Sequence, residues 1–223
     1  MISRETIEFL MENRVRNSRS WFLEHRTEYE KFVRRPLLEL SERLAPAALG
    51  VDPQVTVSPA GRTISRINRD TRFSRDKSLY RDVMWCAFER RGEEGCPPGL
   101  FFEFSPNGFR YGCGYYCVPI AYMDALRELV LRDEPSYLAA RRAYEKQELF
   151  RLEGERYKRL RHPEAPAEKQ DWLNRKGIAF IHSEKDFELL FSERLAEVVA
   201  DGFQKLAPLY AFLQRANERM LRR

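Results

Sequence analysis

The chain reads as an α+β fold: N-terminal helices, a central antiparallel sheet with hairpins, and C-terminal helices packed on one face of it. Three observations predict this. Apolar residues recur at helical spacing before about residue 50 and again after residue 119. Between these regions the pattern changes to short runs rich in β-branched and aromatic residues. Asn107-Gly108 then stands between two such runs, the strongest short-range signal of a β-hairpin. The grouping (helical 1–50, mainly strands 54–118, mainly helical 119–223) fits a single domain over residues 1–223, long enough to bury a substantial core.

Ser3 can cap a first helix whose apolar positions Ile7, Leu10 and Met11 follow the helical period. The polar stretch Asn13 to Asn17 predicts a turn. Ser18 or Ser20 caps a second helix with Trp21, Phe22, His25, Tyr29 and Phe32 on one stripe, and Trp21 and Phe22 are expected in the core. Pro36 stops that helix or begins the next, because it lacks an N–H and disfavours helix in Arg35. Leu37, Leu40, Ser41 and Leu44 continue helically to Ala45-Pro46, and Gly50 and Pro53 close the region.

Val55-Thr-Val57 and Thr63 to Ile67 alternate and are β-branched, with Pro59-Ala-Gly61 as the turn between them. Val83 to Phe88 predicts a buried strand. Leu100 to Phe104 and Phe109 to Val118 flank the hairpin turn, and Gly112 and Gly114 inside the second strand predict a bulge or a close backbone approach. Tyr111 and Tyr115 share one face of that strand and Tyr116 the other, so one set is expected to be exposed. Pro119 to Arg132 is amphipathic, and Asp133 or Ser136 caps a helix to about Lys146. A short strand is expected around Gly154, a loop over His162 to Gln170, and a strand over Gly177 to His182. Ser192 then caps a long terminal helix that Pro208 should kink or split.

Composition excludes several classes. Apolar residues make up 43% of the chain and aromatics 13%, which argues against disorder. No apolar run approaches the roughly 20 residues needed to span a bilayer. Glu5, Glu8 and Glu12 among the first apolar residues are unlike a signal peptide. Cys86, Cys96, Cys113 and Cys117 lack zinc-ribbon spacing and read as reduced, buried thiols; the expected address is the cytoplasm. His25, His162 and His182 are far apart in sequence and form no metal-binding pair; no Walker loop, Gly-x-Ser-x-Gly or dinucleotide fingerprint is present.

Charge singles out one segment. Residues 62–81 hold seven Lys/Arg and two Asp, a balance of +5 that equals that of the whole chain. The remainder therefore sums to zero. Six of the seven are arginines, whose planar fork suits carboxylate and phosphate. Like charges at this density require counter-charges or a bound anion. One reading is an anion site in which Arg66, Arg69 and Arg72 grip phosphate or carboxylate, Asp70 orients an arginine, and Lys77 and Tyr80 add a point charge and a hydroxyl. Asp70, flanked by Arg69 and Arg72, should have a lowered pKa and act as a permanent anion rather than a proton shuttle. The other readings are an arginine network tied to carboxylates such as Glu103 or Glu5, and an exposed loop for nucleic acid or protein. One compact cluster suits a small anionic ligand better than a long nucleic-acid groove.

Arg66-x-x-Arg69-Asp70-x-Arg72-Phe73 followed by Lys77 and Tyr80, Asn17-x3-Trp21-Phe22 with Tyr29 and Pro36, Phe101 to Ser105, Gly154 and Trp172-Leu-x-x-Lys176 together resemble the domain of unknown function 2461 family of bacterial proteins. The resemblance covers nearly the whole chain. It implies the fold and the arginine cluster but brings no established activity, so whether the protein is an enzyme is left open.

Overall fold

The structure, a computed structural model, describes residues 1–58, 63–72, 75–115 and 118–223. Helices, an antiparallel sheet and helices follow in the predicted order. The first helix, α1 (Arg4–Arg16), buries Ile7 and Leu10 but turns Met11 outward, 53% exposed. It runs through the stretch predicted as a turn. Asn17 ends it in the left-handed region, its N–H bonded to Asn13 O at 3.0 Å, and Arg14 and Arg16 complement the helix dipole in the last turn.

Ser18 caps α2 (Arg19–Glu24) by accepting the Trp21 N–H. The expected continuous second helix is instead α2, α3 (Arg26–Tyr29), a π-helical turn (Glu30–Arg34) and α4 (Arg35–Val51), with Pro36 in the first turn of α4. Pro46 does not end α4. Leu44 and Ala48, one turn apart, are fully buried around it, and burying a Leu contributes about 1.5–3 kcal/mol, comparable with the roughly 3 kcal/mol that an internal proline costs.

Residues 55–57 form no strand; Thr56 N–H donates to Glu89 O at 2.9 Å, Val55 N–H turns back to Asp52 O, and Thr56 Oγ1 accepts the Arg91 N–H at 3.4 Å. The 63–67 run is paired only briefly, through a bridge between Ile64 and Cys86. The turn predicted at 59–61 lies outside the described residues. The sheet is β1 (Met84–Glu89), β2 (Gly99–Ser105), β3 (Gly108–Gly114), β4 (Arg151–Glu153) and β5 (Ala179–Glu184), antiparallel throughout in the order β1-β2-β3-β5-β4. β3 stops at Gly114, short of the predicted Val118. The expected close approach is real, since a β-carbon at Gly112 would collide with the Phe180 carbonyl on β5.

The remaining helices are α5 (Ile120–Leu131), α6 (Pro135–Glu145), α7 (Ala167–Leu173), α8 (Phe187–Leu190) and α9 (Leu195–Leu221). Glu134, not Asp133 or Ser136, caps α6 by accepting the Ser136 N–H at 2.8 Å. α7 occupies part of the expected 162–170 loop. Ser192 caps nothing; its hydroxyl donates to Leu189 O, and α9 starts three residues later. α9 continues past Pro208 unsplit and packs against α4, α5, α6 and β3, burying Val199, Phe203, Leu206, Phe212 and Leu213.

One sheet face (Met84, Cys86, Phe88, Phe102, Phe104 and Tyr111 among others) is buried with these helices. Tyr111 is therefore not exposed: its ring meets Phe150 edge-on and abuts Gly202 of α9. On the opposite face Trp85, Glu103, Arg110 and Ser183 align across four strands. No helix among the described residues is long and apolar enough to cross a membrane.

Candidate functional site

The arginine segment is a loop closed by a narrow neck. Arg69 N–H donates to Leu79 O at 2.8 Å, Arg81 N–H to Ile67 O at 2.9 Å, and Asn68 bridges Tyr80. The neck is held by burial of Ile67 and Tyr80, with the Tyr80 ring stacked on Phe22 of α2 at 4.8 Å. Tyr80 thus serves as an anchor. Desolvation raises its pKa, partly offset by the charge of Arg19, and among the described residues its hydroxyl makes no hydrogen bond.

Within the loop two carboxylates divide the cations. Asp76 accepts the Ser78 N–H at 2.9 Å, Arg14 Nη2 at 2.6 Å and Arg69 Nη1 at 2.5 Å; Arg69 Nη1 also reaches Ser78 Oγ at 3.3 Å. The Ser78 amide, and after it Arg14, hold the Asp76 carboxyl well below the usual range. Asp70 takes Arg72 instead, through its Nη2 at 2.7 Å, Nε at 3.0 Å and backbone N–H at 3.1 Å. Its pKa falls to about 2 for that reason. The expected permanent anion is present, with Arg72 as its partner while Arg69 turns to Asp76. Lys77 Nζ caps the Thr71 carbonyl at 2.7 Å. Among the described residues, exposed Arg66 and Arg75 make neither an ion pair nor a hydrogen bond through their side chains. Phe73, the aromatic residue of the arginine motif, lies outside the described residues.

The carboxylates first considered as partners are engaged elsewhere. Arg110 Nε donates to Glu103 across β2–β3 at 2.6 Å, and Glu5 accepts the Ser3 hydroxyl at 2.6 Å. The helix that meets the loop is the last turn of α1, which sequence reasoning took for a turn. Besides the Arg14–Asp76 pair, Asn17 Oδ1 accepts the Leu79 N–H at 2.7 Å, and Arg14 Nε stands 3.9 Å from Asp82. Among the described residues, Nδ2 and Oδ1 of the fully buried Asn13 and Nη1 of Arg14 have no hydrogen-bond partner. Asp76 was legible as the second acid of the basic window; nothing in the sequence tied Asn13 or Arg14 to it.

At the far end of the neck the Arg81 guanidinium lies 4.7 Å from the Trp85 ring, which links the loop to the Trp85–Ser183 row of the open sheet face. A cavity of about 310 Å³ on that face is lined by Glu103, Ser105, Arg110, Ser183, Glu184 and Lys185. A groove of about 660 Å³ follows Glu8, Met11 and Val15 along α1. Neither is lined by a loop residue. Cys86 is buried, its thiol pushed up to about 12 by desolvation, and Cys113 is raised for the same reason; Cys96 is half-buried and Cys117 lies outside the described residues. His25 stacks on Trp21 at 4.1 Å, and among the described residues no three His, Cys, Asp or Glu side chains come together as metal ligands.

A protein-family profile described as a conserved hypothetical protein (DUF2461) matches residues 5–212. The chain belongs to the DUF2461 family. No curated protein and no solved structure matches it. The DUF2461 match spans both the last turn of α1 and the whole arginine loop.

Proposed function

We propose that this DUF2461 protein binds an anionic group, phosphate or carboxylate, on the surface of residues 66–81, with Arg66 and Arg75 making the contact, Lys77 and Arg72 beside them, and Arg69, Asp70 and Tyr80 holding the loop. The observation that carries the reading is the division of labour among the cations. Arg69 and Arg72 are committed to Asp76 and Asp70, whereas Arg66 and Arg75 stay exposed with no carboxylate. A loop needing its arginines only for structure would gain nothing from two unpaired guanidinium groups, which repel their neighbours until an anion arrives. No side chain is assigned a catalytic step. Cytoplasmic residence belongs to the same proposal and is supported by the free, buried thiols of Cys86 and Cys113.

Exposed charge-assisted contacts are individually weak, up to about 1 kcal/mol each, so three of them give a free energy of about 3 kcal/mol and a dissociation constant on the order of 10 mM for inorganic phosphate. At a hundredfold excess such a ligand stabilises the native state by about 2.7 kcal/mol, readable as a thermal shift. Arg66→Ala/Arg75→Ala should unfold at or slightly above the wild-type temperature without phosphate, because the repulsion is relieved, and lose the shift with it; a shift that persists in the double variant would sink the assignment. A second reading, single-stranded nucleic acid, is favoured by half-buried Trp85 beside Arg81. Oligonucleotide binding whose affinity falls steeply with salt, in the absence of any phosphate response, would select it.

A further inference from the structure

We propose that the cavity at the tip of the β2–β3 hairpin is a seat for the ring of a neutral saccharide. It lies on the open sheet face, shares no side chain with the arginine loop and goes beyond the anion-binding reading. The sheet register and one close approach build it. Glu103, Arg110 and Ser183 are aligned partners on β2, β3 and β5, and strands roughly 4.8 Å apart spread these three side chains over about 10 Å. Ser183 and Lys185, two residues apart, project to the same face. Gly108 carries the turn at a φ of +120°, and a β-carbon there would collide with the Glu184 carbonyl. The hairpin tip therefore closes on the end of β5, which sets Ser105 and Asn107 in one lining with Ser183 and Lys185. The enclosed space of about 310 Å³ stands at the lower limit of small-molecule sites, roughly 300–1,000 Å³, and suits one ring rather than a chain.

Charge selects the ligand class. Glu103 and Glu184 offset Arg110 and Lys185, so the charged side chains of the lining sum to zero. Arg110 directs Nε at 2.6 Å and Nη2 at 2.5 Å to the same oxygen of Glu103, Oε1. Glu184 turns its Oε1 to the N–H groups of Lys185 and Asp186, at 2.7 and 3.1 Å. An anion entering here meets the Glu103 carboxylate, and a cation meets the Arg110 guanidinium. A zwitterion gains little, because the charges that it would seek are already in contact with each other. A sugar competes with none of these bonds. One ring hydroxyl can donate to Oε2 of Glu103 while its neighbour accepts from Nη1 of Arg110, so the pair presents an acceptor and a donor to adjacent hydroxyls. Ser105 Oγ accepts the Asn107 N–H at 3.1 Å and keeps its own proton to donate, and Ser183 adds a hydroxyl that does either. The methylene stems of Arg110 and Lys185 give the C–H face of the ring an apolar surface.

The test is an amide NMR titration of the full chain with glucose, galactose, mannose and ribose, and with glycine and inorganic phosphate for comparison. Shift mapping locates the ligand and is unaffected by the general stabilisation that sugars give folded proteins. At least one sugar should shift the amides of Asn107, Gly108, Ser183 and Lys185 saturably and leave those of the arginine loop in place. Ser183→Ile puts a strand-favouring side chain into the cavity without touching the Glu103–Arg110 pair, and should abolish the response in a protein whose spectrum is otherwise native. Glu103→Gln keeps the size of the side chain, gives up the carboxylate and should weaken binding roughly tenfold. Arg66→Ala/Arg75→Ala should bind the sugar as wild type does, and loss of the response there would move the sugar to the loop and overturn the seat. A response that persists at full strength in Ser183→Ile or in Glu103→Gln overturns it as well. Saturable shifts at these amides from glycine alone, or from phosphate alone, would make this a zwitterion or an anion site and remove the saccharide assignment. No shift from any of the four sugars removes it too.

Discussion

Asp70 and Asp76 sit six residues apart in one loop and do different work. Asp76 gathers Arg14 from α1 and Arg69 from the loop, and so fastens one to the other. Asp70 is exposed and pairs with Arg72, with Arg81 adding a weaker electrostatic pull. Its pKa of about 2 arises from the Arg72 side-chain bonds and then the Arg72 amide, against an ordinary value of 3.8. A carboxyl whose pKa is depressed in the folded state contributes stability above its unfolded pKa and loses it as pH falls through the folded value. The Asp70–Arg72 contribution is therefore present above about pH 4 and disappears toward pH 2. A carboxyl-carbon NMR titration should place the Asp70 midpoint near the lower value in wild type and move it toward 3.8 in Arg72→Ala. Arg69→Ala should leave it in place, and a midpoint that follows Arg69 instead would reassign the pair. Asp70 is also where sequence reading reached its limit. A depressed carboxyl was foreseeable from its arginine neighbours, but which neighbour it takes depends on the chain's return at Ser78, a contact that no local spacing encodes.

Between elements, the contact of α9 with β3 is tight enough to reverse an ordinary rule. Replacing a glycine inside a helix by alanine usually stabilises by up to about 1 kcal/mol. A β-carbon at Gly202, however, would press into the Tyr111 ring, itself backed by Phe150. Overpacking of this kind costs about 1–3 kcal/mol, so Gly202→Ala should destabilise the protein by about 1–2 kcal/mol in urea unfolding. A gain would mean that Tyr111 has room to swing. The elements most legible in sequence were those whose pattern and packing agree: the Asn107-Gly108 hairpin, the strand before it, and the apolar stripe of α9. Those that misled were set by partners distant in sequence. Residues 55–57 have strand composition but meet only the end of β1, through the Thr56 N–H to Glu89 O bond, and Pro46 and Pro208 sit in helices held by burial on the sides that do pack.

For the molecule as a whole, one buried clip joins distant parts of the chain. Asp52, at the end of α4 and 2% exposed, accepts Arg90 Nε at 2.6 Å and Nη2 at 3.0 Å, the Tyr210 hydroxyl of α9 at 2.7 Å and the Gln54 N–H at 3.0 Å. Burial raises its pKa, but the bonds from Arg90, Tyr210 and Gln54 outweigh burial, and the net shift is downward. Its contribution therefore belongs to neutral pH and fades as pH drops below the ordinary aspartate range. Tyr210→Phe should cost about 1–3 kcal/mol at pH 7, and less as the pH is lowered through that range. Melting curves of both proteins across pH would reveal a difference that fails to shrink. If residues 1–223 form the one domain expected from sequence, far-UV circular dichroism and tryptophan fluorescence will report coincident transitions in both.

The two ends of the sheet bear on how this protein meets others. β4, at one end, is only three residues long, and β1, at the other, already has hydrogen bonds to Thr63 and Ser65 along its outer side. Neither border offers a long row of free amide and carbonyl groups that a foreign strand could zip onto, the usual route to fibrils and swapped assemblies.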